Sequence, residues 1–357
     1  MRMSRFLAAS IAACIPVAVA SLVAAAPARA DLPIAPPAFP IDGYVWASQP
    51  ANPAYFAATG YEHNSAGGTI AITRSGSGIY QVRFAGMAGA GGVAHASAYG
   101  SSSICTVASW VQSGGDELVN VRCFTAAGAP ADSRFIAHVT NRTDGIARGY
   151  LWSNDPTPPA GGYAPPAQYA FDSTGQQITV FPDGVGGYAV ELNAFGQDAG
   201  GAWTSGALRV TAYGTAAVTC QAFDPALFTD PGVLRVHCFD TGGHAVNSRF
   251  VVSYTRGVVA DSATVSDYTM VPTIVGSSGP APSVVAIDPD GDYQVTFPGA
   301  AMAGGHAFAT IMGTPPMFCN IHYWTTWLGD LRLRVRCYQP GGGHLNPGML
   351  VNVGFFV

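Results

Sequence analysis

The chain has 357 residues, of which 48% are hydrophobic, 11% aromatic and only 10% charged. Its 16 basic residues are all arginine, and the lack of lysine excludes Schiff-base chemistry, a lysine general base and the phosphate-binding P-loop. A net charge of −5 argues against nucleic acid or an anionic membrane as main partner, and the apolar content argues against disorder.

Residues 1–30 read as an export signal. Arg2 and Arg5 give a positive start, residues 6–25 an apolar core, and Ala28-Arg29-Ala30 a small-residue cleavage site before Asp31. Ile11-Ala12-Ala13-Cys14 also resembles a lipoprotein box that would lipidate Cys14. The apolar run continues past that cysteine, so simple secretion is the reading kept. Cleavage leaves 13 basic against 21 acidic residues, net −8, with no second apolar stretch long enough to span a membrane. The expectation is a soluble extracellular protein in a compartment where disulfides persist. A proline-rich linker follows over 31–42.

A first β module is expected over 43–141, with strands near 44–48, 69–74, 79–85, 93–99, 104–111, 117–124 and 134–140. Its apolar period is two: Tyr80, Val82 and Phe84 face one way, Gln81 and Arg83 the other. Gly114-Gly115 turns a hairpin in which Cys105 shares a buried face with Val107 and Val111, and Trp110 points outward. A second module, 149–256, repeats these landmarks. Tyr44-Val45-Trp46 returns as Tyr150-Leu151-Trp152, Tyr61 as Tyr169, Tyr80 as Tyr188, and Ser133-Arg134-Phe135 as Ser248-Arg249-Phe250. The third, 267–357, is shortened: Tyr268-Thr269-Met270 stands for Tyr-x-Trp and Met349 for the phenylalanine. There Arg332, Arg334 and Arg336 are expected on a solvated face, with His322 across from Arg334.

Six cysteines follow the signal, in pairs each 18 apart, which nominates Cys105–Cys123, Cys220–Cys238 and Cys319–Cys337. A zinc site would call for close Cys-x-x-Cys pairs, and none is present. About seven short strands in roughly 100 residues, with glycine and proline turns, predict an all-β fold of three tandem disulfide-stapled β-sandwich-like modules. The alternative, a six-bladed β-propeller, needs self-similarity at half the period, which the sequence lacks.

Five features together resemble a tandem module of uncharacterised exported proteins from high-GC bacteria. They are the Tyr-x-Trp opening, Asn64-Ser65-Ala66-Gly67-Gly68, the strand Gly78 to Phe84, Ala98-Tyr99-Gly100 and the element Asp132 to Phe135. The resemblance covers nearly the whole mature chain. It implies export and modularity, and it carries over no catalytic residue.

Catalytic patterns are missing: there is no Gly-x-Ser-x-Gly elbow, no His-Glu-x-x-His and no dinucleotide fingerprint. The three glutamates are Glu62, Glu117 and Glu191, and no acid–base pair repeats. Asp288-Pro289-Asp290-Gly291-Asp292 resembles half a calcium loop but reads better as a hairpin turn. His237, Asp240 and His244 read as a surface turn rather than a metal site, with His344 in a similar turn. Arg134 and Arg249 are assigned a bridging structural role. No cofactor or metal is expected. The aromatics are the ligand-binding candidates: Trp203 in a glycine-rich insertion of module 2, Trp110 on the cysteine hairpin, and Trp46 and Trp152 at the module openings. The functional expectation is a secreted, non-catalytic binding or cell-surface interaction protein for a glycan, cell-wall polymer, peptide or surface protein. The alternatives are a secreted hydrolase with its site in module 2 around Glu191 or Asp198, and a structural envelope component.

Overall fold

The computed structural model describes residues 40–143, 148–196, 206–223, 232–256, 260–266, 271–288, 290–302, 304–345 and 350–356. A first set of strands comprises β1 (Asp42–Ala47), β2 (Ala54–Phe56), β3 (Glu62–Asn64), β4 (Ile70–Gly76), β5 (Ile79–Phe84), β6 (Val93–Ala98), β7 (Ile104–Ser113), β8 (Asp116–Phe124) and β9 (Phe135–Thr140). The second comprises β10 (Arg148–Ser153), β11 (Ala170–Asp172), β12 (Thr179–Pro182), β13 (Gly187–Glu191), β14 (Ala207–Tyr213), β15 (Val218–Phe223), β16 (Val233–Asp240) and β17 (Arg249–Thr255). The third comprises β18 (Ala260–Ser266), β19 (Thr273–Ser278), β20 (Ser283–Asp288), β21 (Asp292–Phe297), β22 (His306–Met312), β23 (Phe318–Trp327), β24 (Asp330–Tyr338) and β25 (Leu350–Phe356).

The fold is all-β, and each set forms two antiparallel sheets packed face to face. The inner sheets run β3-β1-β9-β6, β11-β10-β17-β14 and β19-β18-β25-β22; the outer sheets run β2-β4-β5-β8-β7, β12-β13-β16-β15 and β20-β21-β24-β23. Between each pair lies its own apolar core, centred on Val45, Val82 and Val121 in the first, Leu151, Val190 and Val236 in the second, and Val265, Val295 and Val335 in the third. The outer strands alternate buried and half-buried residues, as a sheet with one wet face should. The inner strands β9 and β25 are buried at every position, because their second face packs toward the other sets.

The three sets close into a ring through one recurring contact. Tyr99 bridges Ile321, Tyr213 bridges Val107, and Met312 bridges Ala222, each as a parallel pair. The following glycine then donates its N–H to the same partner: Gly100 to Ile321 O, Gly214 to Val107 O and Gly313 to Ala222 O, all at 2.9 Å. Thus each inner sheet is continued at its edge by the outer sheet of another set, and this covers strand edges that would otherwise stay open. Among the described residues the strands form no propeller. All of them belong to one compact unit, residues 36–357.

The disulfides Cys105–Cys123, Cys220–Cys238 and Cys319–Cys337 are present, each joining directly paired neighbours of an outer sheet with Cα atoms 4.0–4.1 Å apart. The second cysteine of each donates its N–H to a turn glycine, Gly78, Gly186 or Gly291. All three glycines have positive φ, and a Cβ on Gly78 would stand 2.1 Å from Cys123 O. The recurring tyrosine and serine meet at another corner: Tyr80 Oη accepts from Ser133 N–H (3.1 Å), and Tyr188 Oη accepts from Ser248 N–H (2.9 Å).

Several expectations need correction. A bulge between Val107 and Ser109 reverses the face of β7, so Trp110 stands opposite Val119 on the core side and is only 8% exposed, while Val111 is 48% exposed. The matching bulge in β23 puts Tyr323, not His322, across from Arg334. Arg334 and Arg336 are not simply solvated, because both bind the fully buried carboxylate of Asp292. Trp46 pairs Ile136 opposite Ser97, Trp152 pairs Val251 opposite Thr211, and at that register the third set carries Thr264, Asn352 and Thr310. Ser262-Ala263-Thr264 therefore replaces Tyr268-Thr269-Met270 as the Tyr-x-Trp counterpart, and the third set starts before residue 267. By the same register Val351 takes the place of Phe135 and Phe250. Residues 268–270 and Met349 lie outside the described residues.

Candidate functional site

Trp46 packs with Tyr61, Tyr99 and Trp324, its ring centroid 5.1–6.0 Å from theirs. Trp152 does the same with Tyr169, Tyr213 and Trp110, at 5.0–5.6 Å. The first quartet seals the junction of the first and third sets, the second that of the first and second. Edge-on and tilted packing turns the rings against one another, which stabilises the seam and leaves no flat platform. The third junction has Thr264 and Met312 at the matching positions. Trp46 and Trp152 stay half-buried. Trp203 and Asp198 lie outside the described residues.

Polar clasps reinforce all three junctions from the residue after the first cysteine of each pair. Thr106 Oγ1–H donates to Gly214 O (2.9 Å), Gln221 Nε2–H to Gly313 O (2.7 Å), and Asn320 Nδ2–H to Ser101 O and Ser103 O (both 2.9 Å).

The inner sheets meet along an axis, and there the chain places polar groups that its sequence did not advertise. Counting back five residues from Gly100, Gly214 and Gly313 gives His95, Arg209 and Phe308; counting back three gives Ser97, Thr211 and Thr310. All six line one cavity of about 90 Å³, together with His138 and His306. A second cavity of about 50 Å³ also touches Arg209, His138 and His306, and includes Asp42, Arg148 and Ser253. The Arg209–histidine cluster thus separates the two spaces.

A hydrogen-bond chain crosses this cluster. Arg209 Nη1–H donates to His138 Nδ1 (2.7 Å) and to His306 Nε2 (3.2 Å), so both ring nitrogens act as acceptors. His138 Nε2–H then donates to Asp42 Oδ1 (3.0 Å). Asp42 and His138 come from the first set, Arg209 from the second and His306 from the third. The guanidinium lies 4.0 Å from the Phe356 ring centre and 4.8 Å from that of Phe308. Burial pushes the Arg209 guanidinium down to about 9, which leaves it charged at neutral pH. Burial, reinforced by the positive Arg209, holds His95 and His138 well below the usual imidazole range. His306 is lowered by burial first, then by His138 and Arg209. A cation bonded to both His138 and His306 repels a metal ion, and among the described residues no group of three His, Cys, Asp or Glu is placed to hold one.

The remaining sequence candidates resolve into structure. Asp292 is occupied by Arg334 and Arg336, and Asp288 faces it across the β20–β21 hairpin turn. Asp240 accepts from Gly242 N–H, His244 N–H and the His244 ring, a turn rather than a ligand set. Arg249 Nε–H donates to Asn154 O (2.9 Å), and Arg134 lies against the Tyr99 ring. Glu191 is exposed at the end of β13. Glu117, by contrast, is buried, with neither carboxylate oxygen hydrogen-bonded among the described residues, and burial pushes its carboxyl up to about 8.

The axial residues are hard to read in the sequence because a lone His or Arg within an alanine-rich strand looks like a solvent-facing position. The usable signal was register: three strands end on Tyr-Gly, Tyr-Gly and Met-Gly, and one residue at a fixed distance before the glycine is His, Arg or Phe. Comparison of the chain with family models, curated proteins and solved structures finds no match.

Proposed function

We propose that this is an exported, non-catalytic binding protein that holds a small polar ligand in the axial cavity. The observation that carries the reading is the lining of that cavity by β6, β14 and β22 together, one strand from each set. Closing the ring and forming the site are then one event, and a pre-formed concave site with few polar groups suits recognition of a small molecule. Three disulfides fit an oxidising, extracellular compartment, and among the described residues no helix is long and apolar enough to cross a membrane. A glycan platform on Trp46, Trp110 and Trp152 gains no support, since those rings pack at the seams.

The test is a screen of the mature protein against neutral sugars, short peptides, cell-wall fragments and small ions, read by saturable shifts in amide resonances. The companion variant is Ser97→Leu, which intrudes on the cavity from a half-buried position. The expected result is saturable binding by one class that Ser97→Leu abolishes while the fold persists. Binding that survives Ser97→Leu, or no binding by any class, would overturn the proposal.

A further inference from the structure

Resting on that reading, the geometry points to a ligand class: we propose that the axial cavity takes a small oxyanion, with Arg209 as its counter-charge. The axis carries an unbalanced charge. Arg209 is only 5% exposed, yet among the described residues no carboxylate lies within ion-pair distance of it. Its nearest acid along the hydrogen-bond chain, Asp42, is already engaged by His138 Nε2–H, Thr140 Oγ1–H at 3.3 Å and Arg142 at 3.8 Å. A buried cation is costly unless it is paired, and two neutral imidazoles with two aromatic faces offset only part of that cost.

Donors around Arg209 remain unused. Among the described residues its Nε–H has no partner, nor has Nδ1 of His306, which carries that ring's proton because Nε2 accepts from the guanidinium. His95 binds Thr211 Oγ1 through Nδ1 (2.9 Å); among the described residues its Nε2 has no partner, and it is a donor when Nδ1 accepts from that hydroxyl. Ser97 and Thr310 bring hydroxyls to the same lining. No Asp or Glu is among the described residues of that lining, so no carboxylate there repels an anion. A guanidinium with a fork of N–H donors, flanked by ring N–H and hydroxyl groups, is the donor set an oxyanion takes. About 90 Å³ has room for several waters or one tetrahedral oxyanion. Ser103, Thr219 and Phe318 of the lining are half-buried, so the cavity wall reaches toward the surface there.

The experiment titrates the disulfide-intact mature protein with inorganic phosphate, sulfate and acetate at constant ionic strength held by chloride, with glucose as neutral control. Amide resonances of residues 95–97, 209–211 and 308–310 give the readout. The expected result is saturable shifts with at least one oxyanion and none with glucose. Arg209→Gln should weaken binding at least tenfold and Thr310→Val several-fold, the second variant standing alone if the first does not fold. Saturable binding of glucose without any oxyanion response would overturn this inference and leave the axial binding function intact. Shifts that never saturate, or that both variants leave unchanged, would mark a general salt effect and also overturn it.

Discussion

His95, His138 and His306 sit in the folded chain as neutral rings held below their ordinary titration range, whereas the unfolded chain titrates them near pH 6.5. The unfolded state therefore takes up protons that the folded axis refuses. Stability is full above pH 6.5 and is lost as pH falls below it, by up to about 1.4 kcal/mol per pH unit for each ring. Urea unfolding at pH 7.5 and 5.5 should show a marked drop at the lower pH, and His138→Gln should shrink the difference; equal stability at both would contradict neutral burial. Glu117 has the opposite sign. Its folded carboxyl titrates at about 8, so its contribution is whole below the unfolded carboxylate range and is lost as pH rises through 8. Glu117→Gln should raise stability at pH 8 by about 1–3 kcal/mol and change little at pH 4.5. A loss of stability at pH 8 would instead assign that carboxylate a partner.

Trp110 shows how one residue of register decides what an element does. Period-two reading of β7 sends it to solvent, but the bulge before Ser109 turns it inward, where the Trp152 quartet receives it. Trp110→Ala should cost about 3–5 kcal/mol in urea unfolding, while Trp327→Ala, at a 58% exposed hairpin tip, should fall within about 0.5 kcal/mol. Similar costs for the two would deny the seam its role. The cysteine hairpins were legible because their constraint is local: a fixed spacing of 18 and alternating valines define paired strands. The bulges were not, since a bulge answers to the partner strand and the neighbouring set, neither of which period-two counting sees. The landmarks of the third set fall elsewhere than Tyr268 and Met349 for a related reason. Its Tyr-x-Trp had become Ser262-Ala263-Thr264, so only strand pairing, and no residue type, marks the position.

At the scale of the molecule, two-sheet units and their disulfides could be read from the sequence, but their closure into a ring could not. Closure rests on single parallel bridges and on Thr106, Gln221 and Asn320, three different residue types that share only their place after a cysteine. The axial residues stayed hidden with it, because no one module contains Asp42, His138, Arg209 and His306 together. The seam glycines report closure most directly, since the amides of Gly100, Gly214 and Gly313 each bond to a carbonyl of a different set. Residue-resolved hydrogen exchange on the disulfide-intact protein should find all three protected to the degree of amides inside the sheets. Exchange at unprotected loop rates at these three amides, with the strands of each sandwich still protected, would show modules strung as independent beads and would contradict the ring.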